Sequence, residues 1–183
     1  MEKEINIWLN HNPYTDKKKA KPYSDGILQQ LLQQALNTSK TIDIKKTING
    51  KPYVDEPVYF SHSNCRQVYA YVISKSQEVS VDLEYIDYKR QVLKLAHRYF
   101  NKKEFAALLT LSATCQSEYF FDLWTQKEAW CKLEAGNLWS YLNKNMDGLP
   151  ISFYKLKQIK GFAGTLASPN IITKVRINSI GEQ

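Results

Sequence analysis

The alternation of hydrophobic and polar positions predicts helices and strands in both halves of the chain. In the first half, residues 5–9 alternate weakly, which predicts a strand, and leucines at helical spacing predict a helix over residues 27–36. The segments VYFSHS, QVYAYVIS and EVSVDLEYI predict three further strands because they are rich in Val, Tyr and Ile. Residues 49–52, with the sequence NGKP, are typical of a turn before these strands.

Four lysines precede the first predicted helix, at positions 17, 18, 19 and 21. Such a charge run is typical of a solvated loop, and the alternative is an arm that attracts anions. We expect Ser24 or Asp25 to cap the helix that follows.

The second half begins with helical patterns and ends with strand patterns. Helices are predicted over residues 88–100, 101–111 and 117–141, and Asn101 with Glu104 predicts a capping box. After a turn at Asp147-Gly148, three strands are predicted to close the chain as a meander, over residues 151–159, 161–168 and 170–177.

These elements predict an α+β fold in a single domain covering residues 1–183. The two halves share a coarse order of elements, with helices followed by strands, which predicts a duplicated architecture. We expect two similar αβ lobes, approximately residues 1–80 and 81–183. Each lobe should contain a small antiparallel sheet packed with helices, and a cleft should lie between the lobes.

The composition of the chain limits which cellular compartment and which kinds of partner we expect. The formal net charge of +7 favours anionic partners. Three widely spaced cysteines argue against a disulfide framework, and they lack the paired spacing of a zinc site. No run is long enough to cross a bilayer, and the N-terminal segment does not resemble a signal peptide. We therefore expect a cytoplasmic protein without a membrane partner.

Three acidic residues form the most specific candidate site. Asp82 and Glu84 are two positions apart in a predicted strand, so both side chains point to the same face. Glu128 shares a helix face with Trp124 and Lys132, at spacings of four residues. If this helix packs over the strand, the carboxylates converge and supply the hard oxygen ligands that Mg²⁺ prefers. The simpler alternatives are a solvated strand end and a surface Glu128–Lys132 ion pair.

A second candidate site lies at His62, which ends an apolar strand between Ser61 and Ser63. This setting suits a phosphate-binding corner, and the alternative is a histidine with a structural role. The sequence contains no P-loop and no dinucleotide-binding fingerprint.

Taken in order, these motifs resemble the 4′-phosphopantetheinyl transferase superfamily of the Sfp type. The resemblance extends from about residue 50 to residue 167, and the His97-Arg98-Tyr99-Phe100 stretch is also similar to the family's pattern. The ordered motifs are Gly50-Lys51-Pro52, Phe60-Ser61-His62-Ser63, Val81-Asp82-Leu83-Glu84 and Trp124-Thr125-Gln126-Lys127-Glu128-Ala129 followed by Lys132.

The resemblance implies an enzyme that moves the 4′-phosphopantetheine group of coenzyme A to a serine of an acyl or peptidyl carrier protein and releases 3′,5′-ADP. It implies that Mg²⁺, which Mn²⁺ can replace, is bound by Asp82, Glu84 and Glu128. The implied catalytic residues are Glu128, which would accept the serine proton, and Lys132. The implied contacts with coenzyme A are Lys51, Pro52, Ser61, His62 and Lys132.

The resemblance further implies an acidic carrier protein as partner, no nucleic acid, and a site that one monomer can build. Because Lys127 points about 100° away from Glu128 on a 3.6-residue helix, we expect it to be available for docking the carrier. The sequence departs from the family at Ser80, at residues 135–137 and in the N-terminal phosphate-binding segment. It does not identify the carrier's pathway.

Two other functions remain open at this point. The first is a basic, tyrosine-rich module that binds nucleic acid by stacking and phosphate contacts, although its basic residues are scattered. The second is a protein that binds coenzyme A without catalysing transfer.

Overall fold

The computed structural model describes residues 4–180, and it confirms the α+β class with antiparallel sheets and helices. The ends of the predicted domain, residues 1–3 and 181–183, lie outside the described residues. The strands are β1 (Glu4–His11), β2 (Lys45–Lys46), β3 (Pro52–Tyr53), β4 (Tyr59–Cys65), β5 (Val68–Ser74), β6 (Ser80–Tyr85), β7 (Ser152–Lys155), β8 (Phe162–Ser168) and β9 (Lys174–Ile180). The helices are α1 (Lys17–Leu36), α2 (Val92–Tyr99), α3 (Lys102–Leu109), α4 (Ala113–Leu133) and α5 (Leu138–Tyr141). Within residues 4–180, no helix is both long and apolar enough to span a membrane.

The first helix begins ten residues earlier than predicted, and the lysine-rich stretch is part of it rather than a loop. Asp16 caps α1, since its side chain accepts a hydrogen bond from the backbone of Lys18. The sequence pattern missed this start because Pro22 and Gly26 both disfavour a helix interior.

The strands form a four-stranded sheet in the order β4-β5-β1-β9, a three-stranded sheet in the order β6-β8-β7, and a small β2-β3 hairpin. All pairings are antiparallel except that of β1 with β9, which is parallel. The predicted closing meander is therefore wrong in its third strand, because β9 joins the first sheet instead of pairing with β8. A strand from the second half thus completes the sheet of the first half.

The hydrophobic core is built in layers. Helix α1 packs on one face of the four-stranded sheet through a cluster that includes Leu32 and Tyr71. The other face of that sheet packs against the three-stranded sheet through a cluster that includes Ile7, Val81 and Leu83. Because side chains alternate along a strand, Asp82 and Glu84 point away from this core, toward α4.

The long second-half helix ends earlier than predicted. Helix α4 stops at Leu133, and Ala135 adopts a left-handed conformation with φ of 52°. The following Gly136 is required by packing, because a Cβ there would lie 2.3 Å from the ring of Tyr141. The chain then turns into the separate helix α5, which is capped by Asn137.

The prediction that Lys127 is available for docking is wrong, because its side chain is fully buried. Its ammonium group forms an ion pair with Glu104 of α3 at 2.8 Å and donates to the backbone oxygen of Lys144 at 2.7 Å. Glu104 also completes the predicted capping box of α3 with Asn101. Lys127 therefore joins α3, α4 and the segment after α5.

We predict that Lys127→Ala lowers the free energy of unfolding by about 3–5 kcal/mol, because it leaves the Glu104 carboxylate buried without a counter-charge. The measurement is urea unfolding at equilibrium. The matched control is Lys103→Ala, which removes an exposed lysine paired with Asp147 at 3.5 Å and should cost less than about 1 kcal/mol. Equal losses from the two variants would contradict a structural role for Lys127.

Candidate active site

The three predicted metal ligands lie together in the structure. Asp82 and Glu84 come from β6, and Glu128 comes from the adjacent helix α4. One carboxylate oxygen from each residue lies within 4.8 Å of the others. Helix α4 is held over β6 in part by Ser80, whose hydroxyl donates to the backbone oxygen of Ala129 at 2.6 Å. The serine that departs from the family pattern thus fastens the strand to the helix.

Asp82 is held through one of its two oxygens. Its Oδ1 accepts hydrogen bonds from the ammonium group of Lys132 at 2.6 Å and from the hydroxyl of Ser63 at 2.9 Å. Its Oδ2 is buried and has no hydrogen-bond partner among the described residues. A buried carboxylate oxygen without a partner is costly unless a cation or a donor occupies its vicinity.

Lys132 forms an ion pair with Asp82 at 2.6 Å, which argues against the simpler alternative of a surface Glu128–Lys132 ion pair. Lys132 extends across to β6, where it binds Asp82 and also donates to the backbone oxygen of Val81 at 3.2 Å. Lys132 is about one-third exposed, and Asp82 is almost fully buried. The lysine therefore connects α4 to the strand that carries two of the acids.

Glu128 is fixed by the aromatic side chains that surround it. The indole Nε1 of Trp124 donates to Glu128 Oε1 at 2.6 Å, and the Trp124 ring packs against Phe100 and Phe120. Burial, followed by the charge of Asp82, raises the pKa of Glu128 to about 7. The nearby Lys132 charge and the Trp124 hydrogen bond act in the opposite direction.

The pKa of Glu84 is shifted in the same direction as that of Glu128. Burial and the neighbouring Asp82 charge raise its pKa, while a hydrogen bond from the Cys65 thiol, at 3.5 Å, lowers it. The raised pKa values of Glu84 and Glu128 show that ionising all three groups together is unfavourable without a compensating positive charge.

The three acids fit a hard divalent cation. They supply only oxygen ligands, and Asp82 Oδ2 faces no competing donor among the described side chains. This donor set suits Mg²⁺ or Mn²⁺ rather than zinc, which prefers nitrogen and sulfur.

A cavity of about 790 Å³ lies beside the acids. All five side chains that the sequence predicts for coenzyme A line it, namely Lys51, Pro52, Ser61, His62 and Lys132. Lys21 and Lys46 also line the cavity, and Asp25 is the acidic residue among its lining side chains. Four lysines and one aspartate give the cavity lining a positive formal charge, which suits an anionic ligand.

Two cavity residues are already anchored in the protein. Lys51 donates to the backbone oxygen of Leu133 at 2.6 Å, so it joins the β2-β3 hairpin to the end of α4. His62 stacks on Tyr71, with ring centroids 6.2 Å apart. Partial desolvation and the charge of Lys132 lower the pKa of His62, which favours its neutral form.

Four residues outside the predicted set of site residues also belong to this region of the structure. Trp124 holds Glu128, Ser63 holds Asp82, and Lys21 and Lys46 line the cavity. Trp124 and Ser63 lie inside quoted motifs, but only three-dimensional packing shows which carboxylate each contacts. Lys21 belongs to the lysine run for which an anion-attracting arm was the alternative.

Comparison with known proteins points to one family. Residues 78–165 match the sequence model of the 4′-phosphopantetheinyl transferase superfamily. The match includes all three acids and Lys132, and it begins after Lys51, Pro52, Ser61 and His62. The predicted resemblance is therefore confirmed.

Individual relatives carry the same description. The chain is 29% identical over 118 residues to the 4′-phosphopantetheinyl transferase gsp of Aneurinibacillus migulanus, covering 64% of this chain and 48% of that protein. It is 33% identical over 93 residues to Sfp of Bacillus subtilis, covering 49% and 39%. It is 30% identical over 96 residues to AcpT of Escherichia coli, covering 51% and 49%. The matched part of this chain spans at most about half the length of these relatives.

We predict that the acidic cluster makes stability fall with pH when no divalent cation is bound. The folded state raises the pKa of Glu128 from its ordinary 4.5 to about 7, so between these values the folded protein binds more protons than the unfolded chain. The free energy of unfolding should therefore decrease by about 1–3 kcal/mol as pH rises through this window.

The variant Glu128→Gln isolates this contribution, since it keeps the shape of the side chain and removes its charge. In chelator, it should match the original protein near pH 5 and exceed its stability near pH 8. The measurement is urea unfolding at both pH values, repeated with Mg²⁺, which should stabilise the original protein more than the variant. A constant difference between the two proteins at both pH values would contradict the prediction.

Proposed function

Because residues 78–165 match the sequence model of the 4′-phosphopantetheinyl transferase superfamily, we propose that the chain is a member that transfers 4′-phosphopantetheine from coenzyme A to a serine of a carrier protein. It is then a holo-[acyl-carrier-protein] synthase with an acyl or peptidyl carrier as substrate. Relatives named as 4′-phosphopantetheinyl transferases support this activity.

The observation that carries the proposal is the adjacency of the acidic cluster and the cationic cavity. Lys132 belongs to both, since it lines the cavity and binds Asp82 at 2.6 Å. A coenzyme A molecule in the cavity would place its nucleotide phosphates among lysines and its pyrophosphate toward the acids. An enzyme that cleaves a pyrophosphate needs this combination, because charge develops on the phosphoryl oxygens during the reaction.

The reaction can be assigned to groups of this chain. The carrier serine oxygen forms a bond to the phosphorus that bears the pantetheine arm, and the pyrophosphate bond breaks. The electron pair leaves with 3′,5′-ADP. The serine proton passes to Glu128, directly or through water, and Lys132 stabilises the negative charge that develops on the phosphates.

We assign Mg²⁺, or Mn²⁺ in its place, to Asp82, Glu84 and Glu128. When bound, the cation neutralises pyrophosphate charge. Ser63 and Trp124 keep two of these carboxylates oriented. We assign His62 to the coenzyme A phosphates together with Lys132, and Lys51 and Pro52 to the nucleotide. Ser61 also lines the cavity.

The proposal extends to the setting of the enzyme. We infer a cytoplasmic monomer that binds an acidic carrier, because the net charge of +7 favours encounter with an acidic partner. We also keep the interpretation of two related lobes with the coenzyme between them. The cavity supports it, since its lining includes residues of both halves, from Lys21 to Gly136.

The first prediction of this proposal concerns the product. Incubation of an apo carrier protein with this protein, coenzyme A and Mg²⁺ should add one phosphopantetheine group to the carrier serine, as measured by intact-protein mass spectrometry. Excess chelator should abolish the reaction, and Mn²⁺ should restore it. Binding of coenzyme A without modification of any fatty-acid, polyketide or peptide-synthetase carrier would support the non-catalytic alternative. Tight binding of single-stranded RNA in place of coenzyme A would support the nucleic-acid alternative.

The second prediction concerns Lys132. Lys132→Ala should lower kcat/KM by about 10²–10³-fold, because it removes a charge that stabilises the phosphates in the transition state. The measurement is steady-state kinetics with saturating Mg²⁺. The matched control is Lys75→Ala, which removes an exposed lysine in the β5–β6 turn, outside the cavity lining. If both variants lowered kcat/KM by similarly small factors, Lys132 would be only a structural partner of Asp82 and the prediction would be wrong.

A further inference from the structure

Strands β4 and β6 are edge strands of different sheets, and they meet through side chains instead of backbone pairing. Strand β6 pairs through its backbone only with β8, so alternate N–H groups of β6 point to its open edge. Three alternate side chains of β4 accept these N–H groups. The pairs are Ser61 with Val81 at 3.2 Å, Ser63 with Leu83 at 3.3 Å and Cys65 with Tyr85 at 3.2 Å.

This contact gives the open edge of β6 the hydrogen-bond partners that a neighbouring strand would supply. Buried backbone N–H groups without partners are costly, and an unpaired edge is poorly fixed in register. The β4 side chains therefore fix the position of the strand that carries Asp82 and Glu84.

Ser63 forms more side-chain hydrogen bonds than Ser61 or Cys65. Its hydroxyl accepts the N–H of Leu83, accepts a second hydrogen bond from Lys132 Nζ at 3.1 Å, and donates to Asp82 Oδ1 at 2.9 Å. A serine hydroxyl has one hydrogen to donate and two lone pairs to accept, so every hydrogen-bonding site of Ser63 is used. The side chain is also buried.

The geometry has a consequence for the orientation of the Asp82 carboxylate. Ser63 and Lys132 both bind Oδ1, and they also bind each other. This triangle fixes the carboxylate so that Oδ2, which has no partner among the described residues, is left as the oxygen available to a cation.

We propose that Ser63 is a positioning residue: it sets the rotation of the Asp82 carboxylate and holds Lys132 against it, so that one oxygen is kept for the divalent cation. This role rests on the proposed transferase function. It is distinct from coenzyme binding, since Ser63 is absent from the residues that line the cavity.

The test compares Ser63→Ala, which removes the hydroxyl, with Ser63→Thr, which keeps it. Loss of a group that orients a metal ligand lowers metal affinity or activity by about 10–100-fold. We expect Ser63→Ala to weaken Mn²⁺ binding by this factor, measured by electron paramagnetic resonance without coenzyme A, and to raise the Mg²⁺ concentration needed for half-maximal activity. Ser63→Thr should restore most of the affinity. Unchanged Mn²⁺ affinity in a folded Ser63→Ala protein would overturn the proposal.

Ser61→Ala is the matched control for stability. It removes a hydrogen bond of the same kind between β4 and β6, but Ser61 contacts neither an acid nor Lys132 in the hydrogen bonds of the described residues. Both alanine variants should lower the melting temperature, because each removes a hydrogen bond to β6, and only Ser63→Ala should change Mn²⁺ affinity. Equal losses of Mn²⁺ affinity would show that the β4–β6 contact acts only through stability, which would overturn the positioning role.

The outcomes for Ser63 and for the proposed function are separable. Absence of carrier modification by the original protein would refute the transferase function, whatever the variants do. Absence of Mn²⁺ binding by the original protein would refute the metal assignment and, with it, the role of Ser63. Normal carrier modification and Mn²⁺ binding with an unaffected Ser63→Ala variant would refute the role of Ser63 alone.

Discussion

Mutual repulsion among three carboxylates is the constraint on which the arrangement of β4, β6 and α4 depends. The acids lie within 4.8 Å of one another, and each accepts a hydrogen bond from a different side chain. The donors to Asp82, Glu84 and Glu128 are, in that order, Ser63, Cys65 and Trp124. These contacts orient the acids, but burial and then the charge of Asp82 still raise the pKa of Glu128 to about 7, so part of the repulsion remains. A divalent cation would relieve this repulsion. The repulsion therefore both destabilises the folded state without a cation and increases the affinity of the cluster for one.

Much of this arrangement follows from local periodicity. Strand alternation puts Asp82 and Glu84 on one face, and helical spacing puts Glu128 beside Trp124 and Lys132. Periodicity cannot show that β6 and α4 lie against each other. The resemblance to a known family supplied that expectation. It also marks the cavity residues Lys51 and His62, whose positions along the chain give no sign that they line one space.

The errors arise where distant parts of the chain decide the outcome. Lys132 has two acids within reach, and only the packing of α4 on β6 favours Asp82 over Glu128. The helical period gives the direction in which the Lys127 side chain points, but it does not show what packs against that face of α4. In the structure α3 packs there, and its Glu104 forms an ion pair with Lys127. The start of α1 was missed because Pro22 disfavours a helix interior. The pairing of β9 with β1 was missed because no local sequence pattern indicates a parallel partner.

The parallel pairing of β1 with β9 bears on how the protein folds. A hydrogen bond from Asn178 to the backbone of Ile7 joins residues 171 positions apart. Contacts of such high sequence separation require closure of a long loop and raise the contact order, which slows folding. The four-stranded sheet can therefore reach its full width only after the intervening α4 and the second sheet have been synthesised. The first half therefore cannot complete its four-stranded sheet without β9, whereas the three-stranded sheet and helices α2–α5 are all built from the second half.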